Sequence, residues 1–199
     1  MPFHSLIVDS EGWETLEGRE VFANPYVQVQ LLKVRTPTRP GGVEWTVVHR
    51  KAACVIVPVL EDGRFLLIRQ ERVPVRQAMW EFPAGQIDEG DATSPETVAR
   101  NGIRELREET GYEPSPQAAV KSLGFFFSSQ GFTDEMCHLL RVEPVVPSAD
   151  GCRHDGDEAI TGCRAVTLEE LRAMIAGNEI RDANTLAAFA RMSALGLLP

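Results

Sequence analysis

The sequence predicts an α/β (α+β) sandwich preceded by a small antiparallel sheet. Three observations carry that prediction. Hydrophobic residues make up 43% and charged residues 25% of the 199, a balance that lets a chain of this length bury one core. Continuous apolar runs of strand length alternate with turn signals in the first two thirds of the chain. Stretches with helix start and stop residues are mixed in among them and close the chain.

The elements follow in order. Residues 1–50 read as a β subdomain of short strands. After the turn signal Asn24-Pro25, Val27, Val29, Leu31 and Val34 mark one strand, residues 37–42 are expected to form a loop, and residues 44–49 return as a second strand. So little apolar mass cannot stand alone, so this sheet is expected to pack on the main domain or on another subunit. The main domain spans 51–199. Residues 55–60 and 65–68, joined by Glu61-Asp62-Gly63-Arg64, predict a buried hairpin. Ser94-Pro95-Glu96 predicts a helix start, with Val98, Gly102, Ile103 and Leu106 toward the core and Gly111 as the stop. Residues 123–127 and 136–142 predict strands on either side of a loop at 128–134. Residues 147–158 are polar and Gly-rich, and 168–176 and 183–195 predict two closing helices, the first capped by Thr167. There is no internal repeat.

Charge and composition exclude several classes. A formal net charge of −9 argues against nucleic acid as the main partner, because a phosphate backbone needs a basic surface. A small phosphorylated substrate stays open, since a bound cation supplies positive charge locally. No run approaches the ~18 apolar residues of a membrane span, and Met1-Pro2-Phe3-His4 carries no basic segment before an apolar core, so no secretory signal is expected. The four cysteines form no CxxC pair, and Cys152, His154 and Cys163 match no common zinc spacing. A reduced cytoplasmic setting is the simplest expectation.

Chemistry concentrates in Arg104-Glu105-Leu106-Arg107-Glu108-Glu109-Thr110-Gly111. The i, i+3, i+4 spacing of Glu105, Glu108 and Glu109 places three carboxylates on one helix face. They also lie near the C-terminal end of the predicted helix, where the dipole disfavours negative charge. A hard divalent cation, Mg2+ or Mn2+, relieves both penalties. A solvated acidic face is the bland alternative for three glutamates alone.

With Glu81-Phe82-Pro83-Ala84-Gly85 before them, these residues resemble the signature of the Nudix hydrolase family, G-x5-E-x7-R-E-U-x-E-E-x-G-U with U apolar. The second half is complete from Glu96 to Tyr112, although ten residues rather than five separate Gly85 from Glu96. Asp91 stands where spacing from Gly85 would put the acid, so five inserted residues precede the helix. Arg69-Gln70-Glu71-Arg72 and residues 80–88 are similar to the ADP-ribose pyrophosphatase branch, whereas Ser128 or Gln130 stands where that branch often carries proline.

The resemblance implies an α/β/α sandwich with a mixed sheet, and homodimerisation through the N-terminal subdomain. It implies Glu105 and Glu109 as principal metal ligands, Glu108 assisting, and the carbonyl of Ala84 as a further ligand. Arg104 would orient Glu108. Trp45 resembles the residue that stacks on adenine; Arg50 and Arg72 resemble those that hold phosphates and ribose; Glu81 and Gly85 fall beside the substrate. Glu158 resembles a loop acid proposed as general base, with Asp155, Asp157 and Glu108 as rivals. The expected reaction is hydrolysis of ADP-ribose or another nucleoside diphosphate sugar. Nucleoside triphosphates, dinucleoside polyphosphates, or a non-catalytic nucleotide-binding role are the alternatives.

Overall fold

The computed structural model describes residues 7–88, 91–153 and 159–198. They form two compact units. Phe127–Met136 belongs with the N-terminal segment up to Ala52, and the rest of the chain makes up the second unit.

In the first unit, β1 (Glu14–Ala23), β2 (Gln28–Thr36) and β3 (Arg39–His49) form an antiparallel sheet in the order β1-β2-β3. Asn24 builds the first turn by accepting the N–H groups of Tyr26 and Val27 at 2.9 and 2.8 Å. The loop expected over 37–42 shrinks to a two-residue turn, because pairing resumes at Thr36 and Arg39. β3 is an edge strand with an irregular register near Val34, and an edge tolerates Pro40 and two glycines there. Residues 127–136 attach to β3 through the Val48 N–H, which donates to Phe132 O at 2.8 Å, and a Val48–Thr133 bridge.

The second unit contains β4 (Ala53–Leu60), β5 (Phe65–Arg72), β6 (Gln77–Glu81), β7 (Ala84–Gln86), α1 (Pro95–Thr110), β8 (Tyr112–Phe127), β9 (Met136–Pro147), β10 (Ile160–Val166), α2 (Leu168–Ala176) and α3 (Ala183–Ala194). The sheet runs β10-β5-β4-β9-β8, with β4 parallel to β9 and antiparallel to β5. Alternation along β4 divides the core into two layers. Cys54 and Ile56 lie beneath Gly102 of α1. Val55, Val57 and Val59 join Leu171, Met174, Ala188 and Met192 of α2 and α3 in one buried cluster. Helices therefore cover both faces of a mixed sheet, as the α/β/α expectation required.

β4 and β5 pair only at Val59 and Phe65 and then part. The gap is filled from within the chain: β6 pairs with β5 from Ile68 to Arg72, and β7 pairs with β4 from Ala53 to Val55. The segment between β6 and β7 crosses at Phe82-Pro83, and Phe82 is fully buried there.

α1 starts and stops as its sequence predicts. Ser94 accepts the Thr97 N–H, Pro95 opens the helix, and Gly111 closes it in the left-handed region with its N–H on Arg107 O. A Cβ on Gly102 would stand 2.6 Å from Leu140 Cδ1, so α1 sits closer to the sheet than any side chain there permits. Ile103, expected in the core, is only partly buried; Thr97 and Asn101 are buried instead. The inserted Asp91 makes a local turn, its Oδ1 accepting the Thr93 N–H at 2.8 Å, and leads into the helix cap.

Candidate active site

The Glu105 and Glu109 side chains are turned inward on the last two turns of α1. Glu109 is 0% exposed and Glu105 5%. Burying two carboxylates on one face is costly unless donors or cations meet them. The chain provides both. The Ala84 N–H donates to Glu109 Oε2 at 2.9 Å. Pro83 turns the chain toward the helix, its carbonyl held by the Ile56 N–H at 2.9 Å. Gly85 then lies directly on Glu105: a Cβ would fall 2.0 Å from the carboxylate carbon, so only glycine lets the backbone pass.

Arg104 supplies the positive charge. One guanidinium nitrogen contacts Glu105 Oε1 and the other donates to Glu108 Oε2 at 2.6 Å, with Asp88 at 3.9 Å. Burial weakens its charge, but the Glu105 and Glu108 carboxylates win and hold its pKa above the ordinary value. Arg104 thus pairs with Glu108, four residues on, and also spans to Glu105. Among the described residues no three His, Cys, Asp or Glu side chains form a ready cation cage, and the Arg104 guanidinium bridges Glu105 and Glu108. The donor set still fits a hard divalent cation: two buried carboxylates, a third partly exposed one, and a backbone turn laid against them where a Cβ would intrude.

A second charged cluster borders the same turn. Arg72 at the end of β5 holds Glu81 at the end of β6 through two nitrogens of its guanidinium, the Nε contact being 3.2 Å. Glu81 is 2% exposed. Burial raises its pKa, and its pairing with Arg72 only partly offsets this. Asp182, the N-cap of α3, is likewise raised by burial despite accepting the Thr185 N–H at 2.8 Å. Cys54, next to Gly85, has its thiol pushed up to about 12, by burial first and Glu105 second, which makes it a packing residue and not a nucleophile.

The outer flank of α1 borders a cleft of about 710 Å³, lined by Glu96, Arg100, Arg104, Arg107, Glu108 and Arg153 among others. Arg104, Arg107 and Arg153 are ion-paired, whereas Arg100 has no such partner among the described residues. The backbone from Ser148 to Arg153 caps the helix end: Ser148 N–H donates to Gly111 O and Arg153 N–H to Glu108 O.

In the first unit, the Trp45 indole N–H donates to Gly131 O at 2.8 Å while half of the residue stays exposed. Arg50 pairs with Glu135 at 3.1 Å, and Ser128 donates to the same carboxylate. A proline at 128 could not make that bond or the one from Ser128 N–H to Glu135 O. His49 sits between Asp134 and Gln30 at 2.7 and 3.0 Å. Glu158, with the rival acids Asp155 and Asp157, lies outside the described residues, as does His154. Asp182, Thr185, Asp134 and Glu135 were not singled out from sequence. Asp182 and Thr185 have N-cap spacing, a readable signal, but their cross-chain partners have none.

The family model for the NUDIX domain matches residues 48–189. The chain is 28% identical over 172 residues, 86% of its length and 88% of the relative's, to an ADP-ribose pyrophosphatase of Bacillus subtilis (strain 168). It is 29% identical over 175 residues, 88% and 89% of the two lengths, to a methanol dehydrogenase activator of Bacillus methanolicus. A crystal structure of an ADP compounds hydrolase superposes with a TM-score of 0.73 at 17% identity, covering 95% of this chain and 96% of that one, and supports the fold.

Proposed function

The chain belongs to the Nudix family, and on that premise we propose that it hydrolyses the pyrophosphate bond of ADP-ribose or a related nucleoside diphosphate sugar, using Mg2+, with Mn2+ as a substitute. The products are a nucleoside monophosphate and a sugar phosphate. The observation that carries this reading is the buried Glu105–Glu109 pair with the Pro83-Ala84-Gly85 turn laid against it. A divalent cation, when bound, neutralises charge on the phosphate oxygens and lowers the pKa of water. Glu105, Glu109 and the Ala84 carbonyl would hold it, with Glu108 assisting.

The chain's other residues position and neutralise. Arg104 orients the Glu105 and Glu108 carboxylates. Arg72, fixed by Glu81, and Arg100, which has no ion-pair partner among the described residues, offer guanidinium groups to the diphosphate. Trp45 presents a ring face to adenine, its N–H being engaged by Gly131. Arg50 is assigned to the phosphates and ribose. Water attacks one phosphorus, the bridging P–O bond breaks, and a carboxylate takes the proton; Glu158 is assigned this role, with Asp155, Asp157 and Glu108 as rivals. Exposed Val21, Phe22 and Leu31 on the three-stranded sheet support a homodimer formed through that sheet.

Incubating the pure protein with Mg2+ and a panel of nucleoside diphosphate sugars, nucleoside triphosphates and dinucleoside polyphosphates tests the reading. ADP-ribose or a relative should yield a sugar phosphate, and Glu109→Gln should lose about 100-fold or more in kcat while remaining folded. Pyrophosphate release from a triphosphate would move the substrate class. The absence of any product from a folded protein would leave a binding or regulatory role.

A further inference from the structure

The turn that carries Ala84 is anchored from an element that contributes none of the proposed ligands. Phe82 crosses between the β6 and β7 ladders, where neither receives its N–H. Thr185, fully buried in the first turn of α3, accepts that N–H on Oγ1 at 2.8 Å. Thr185 is itself fixed, its own N–H donating to the cap residue Asp182 at 2.8 Å. The following backbone groups are pinned in series, Pro83 O by the Ile56 N–H and Ala84 N–H on Glu109 Oε2, both at 2.9 Å. The path from Thr185 to the Glu109 carboxylate is therefore three residues of turn with no slack.

We propose that Thr185 is a positioning residue whose hydroxyl fixes this turn, and through it the Ala84 carbonyl and the Glu109 carboxylate, for binding a divalent cation. The inference rests on the metal-dependent reading above. Serine at 185 keeps the acceptor. Valine keeps the shape but leaves the Phe82 N–H buried without one, so the turn shifts to relieve it. Glu109 then loses the geometry of its contact with Ala84.

Mn2+ binding to the full chain, followed by electron paramagnetic resonance, tests this without relying on turnover. Thr185→Ser should bind within about twofold of wild type, and Thr185→Val about tenfold or more weakly, the scale for a group supporting a metal ligand. Met192→Ala provides the control, since it opens the same core on the same helix while leaving every hydrogen bond of the turn in place; its affinity should stay within about twofold. Unchanged binding in Thr185→Val, or an equal loss in Met192→Ala, overturns the proposal. Wild type that binds no Mn2+ instead removes the metal reading itself, a different result from unchanged binding in the variant. Should Thr185→Val fail to fold, the wild type alone decides: Mg2+ should slow hydrogen exchange at the Phe82 amide, and an unchanged rate overturns the proposal.

Discussion

Gly85 has no functional group, yet it sets the distance between backbone and carboxylate at the site. A methyl group there would overlap the Glu105 carboxylate, so Gly85→Ala forces Glu105 away from Arg104. We expect about 1–3 kcal/mol of destabilisation from overpacking and on the order of a 100-fold fall in kcat/KM from misplacement. Urea unfolding and steady-state kinetics on one preparation check both, and near-wild-type activity would contradict the placement of the turn. At this scale the sequence was most legible where neighbours are near in sequence. Helical spacing sufficed to bring Arg104 to Glu108 and to align Glu105 with Glu109. It could not show that Arg104 also spans to Glu105, nor that Arg72 clamps Glu81, because the clamp depends on the β5–β6 register. Ser128 is one of two residues, with Gln130, that can stand in place of the branch's proline, and its bonds to Glu135 are ones a proline could not make.

The helices were legible because their ends are written locally. Ser94-Pro95 and Gly111 bound α1, and the Thr167–Glu170 capping box starts α2. Strands β6, β7 and β10, and the first part of β8, were not. β6 and β7 are short and exist only because β4 and β5 part to receive them. β8 and β10 lie at the two ends of the sheet, where one-sided pairing tolerates Pro114, Pro116 and exposed polar residues. The cap of α3 gives a prediction for pH. Burial raises Asp182 and Glu81 in the folded chain, while in the unfolded chain both ionise in the ordinary carboxylate range. As pH rises above that range the folded state keeps protons the unfolded state has released, so their contribution to stability declines until the raised pKa values are passed. Asp182→Asn retains a capping oxygen and removes one of the two groups. Its unfolding free energy should decline less steeply between about pH 4 and 7 than that of wild type, read by denaturant titrations; parallel slopes would show that Asp182 does not contribute.

For the whole molecule, a charge of −9 and a site built from carboxylates select for small anionic substrates only where a cation intervenes. Among the described residues no helix is long and apolar enough to cross a membrane. The exposed apolar side chains of the three-stranded sheet set an expectation for assembly. Phe22 is 53% exposed on an edge strand, so Phe22→Glu should sediment as a monomer where wild type sediments as a dimer. A monomeric wild type in the same ultracentrifugation would remove the expected interface. The placement of residues 127–136 with the N-terminal sheet was invisible in sequence, since contacts more than eighty positions apart define it. The parting of β4 and β5 has a consequence beyond the site. Residues 77–86 seal two inward strand edges, one on β4 and one on β5, and an unsealed edge is a template for pairing with other chains. The stretch proposed to present the Ala84 carbonyl thus also covers two strand edges, and lesions there are expected to reduce solubility together with activity.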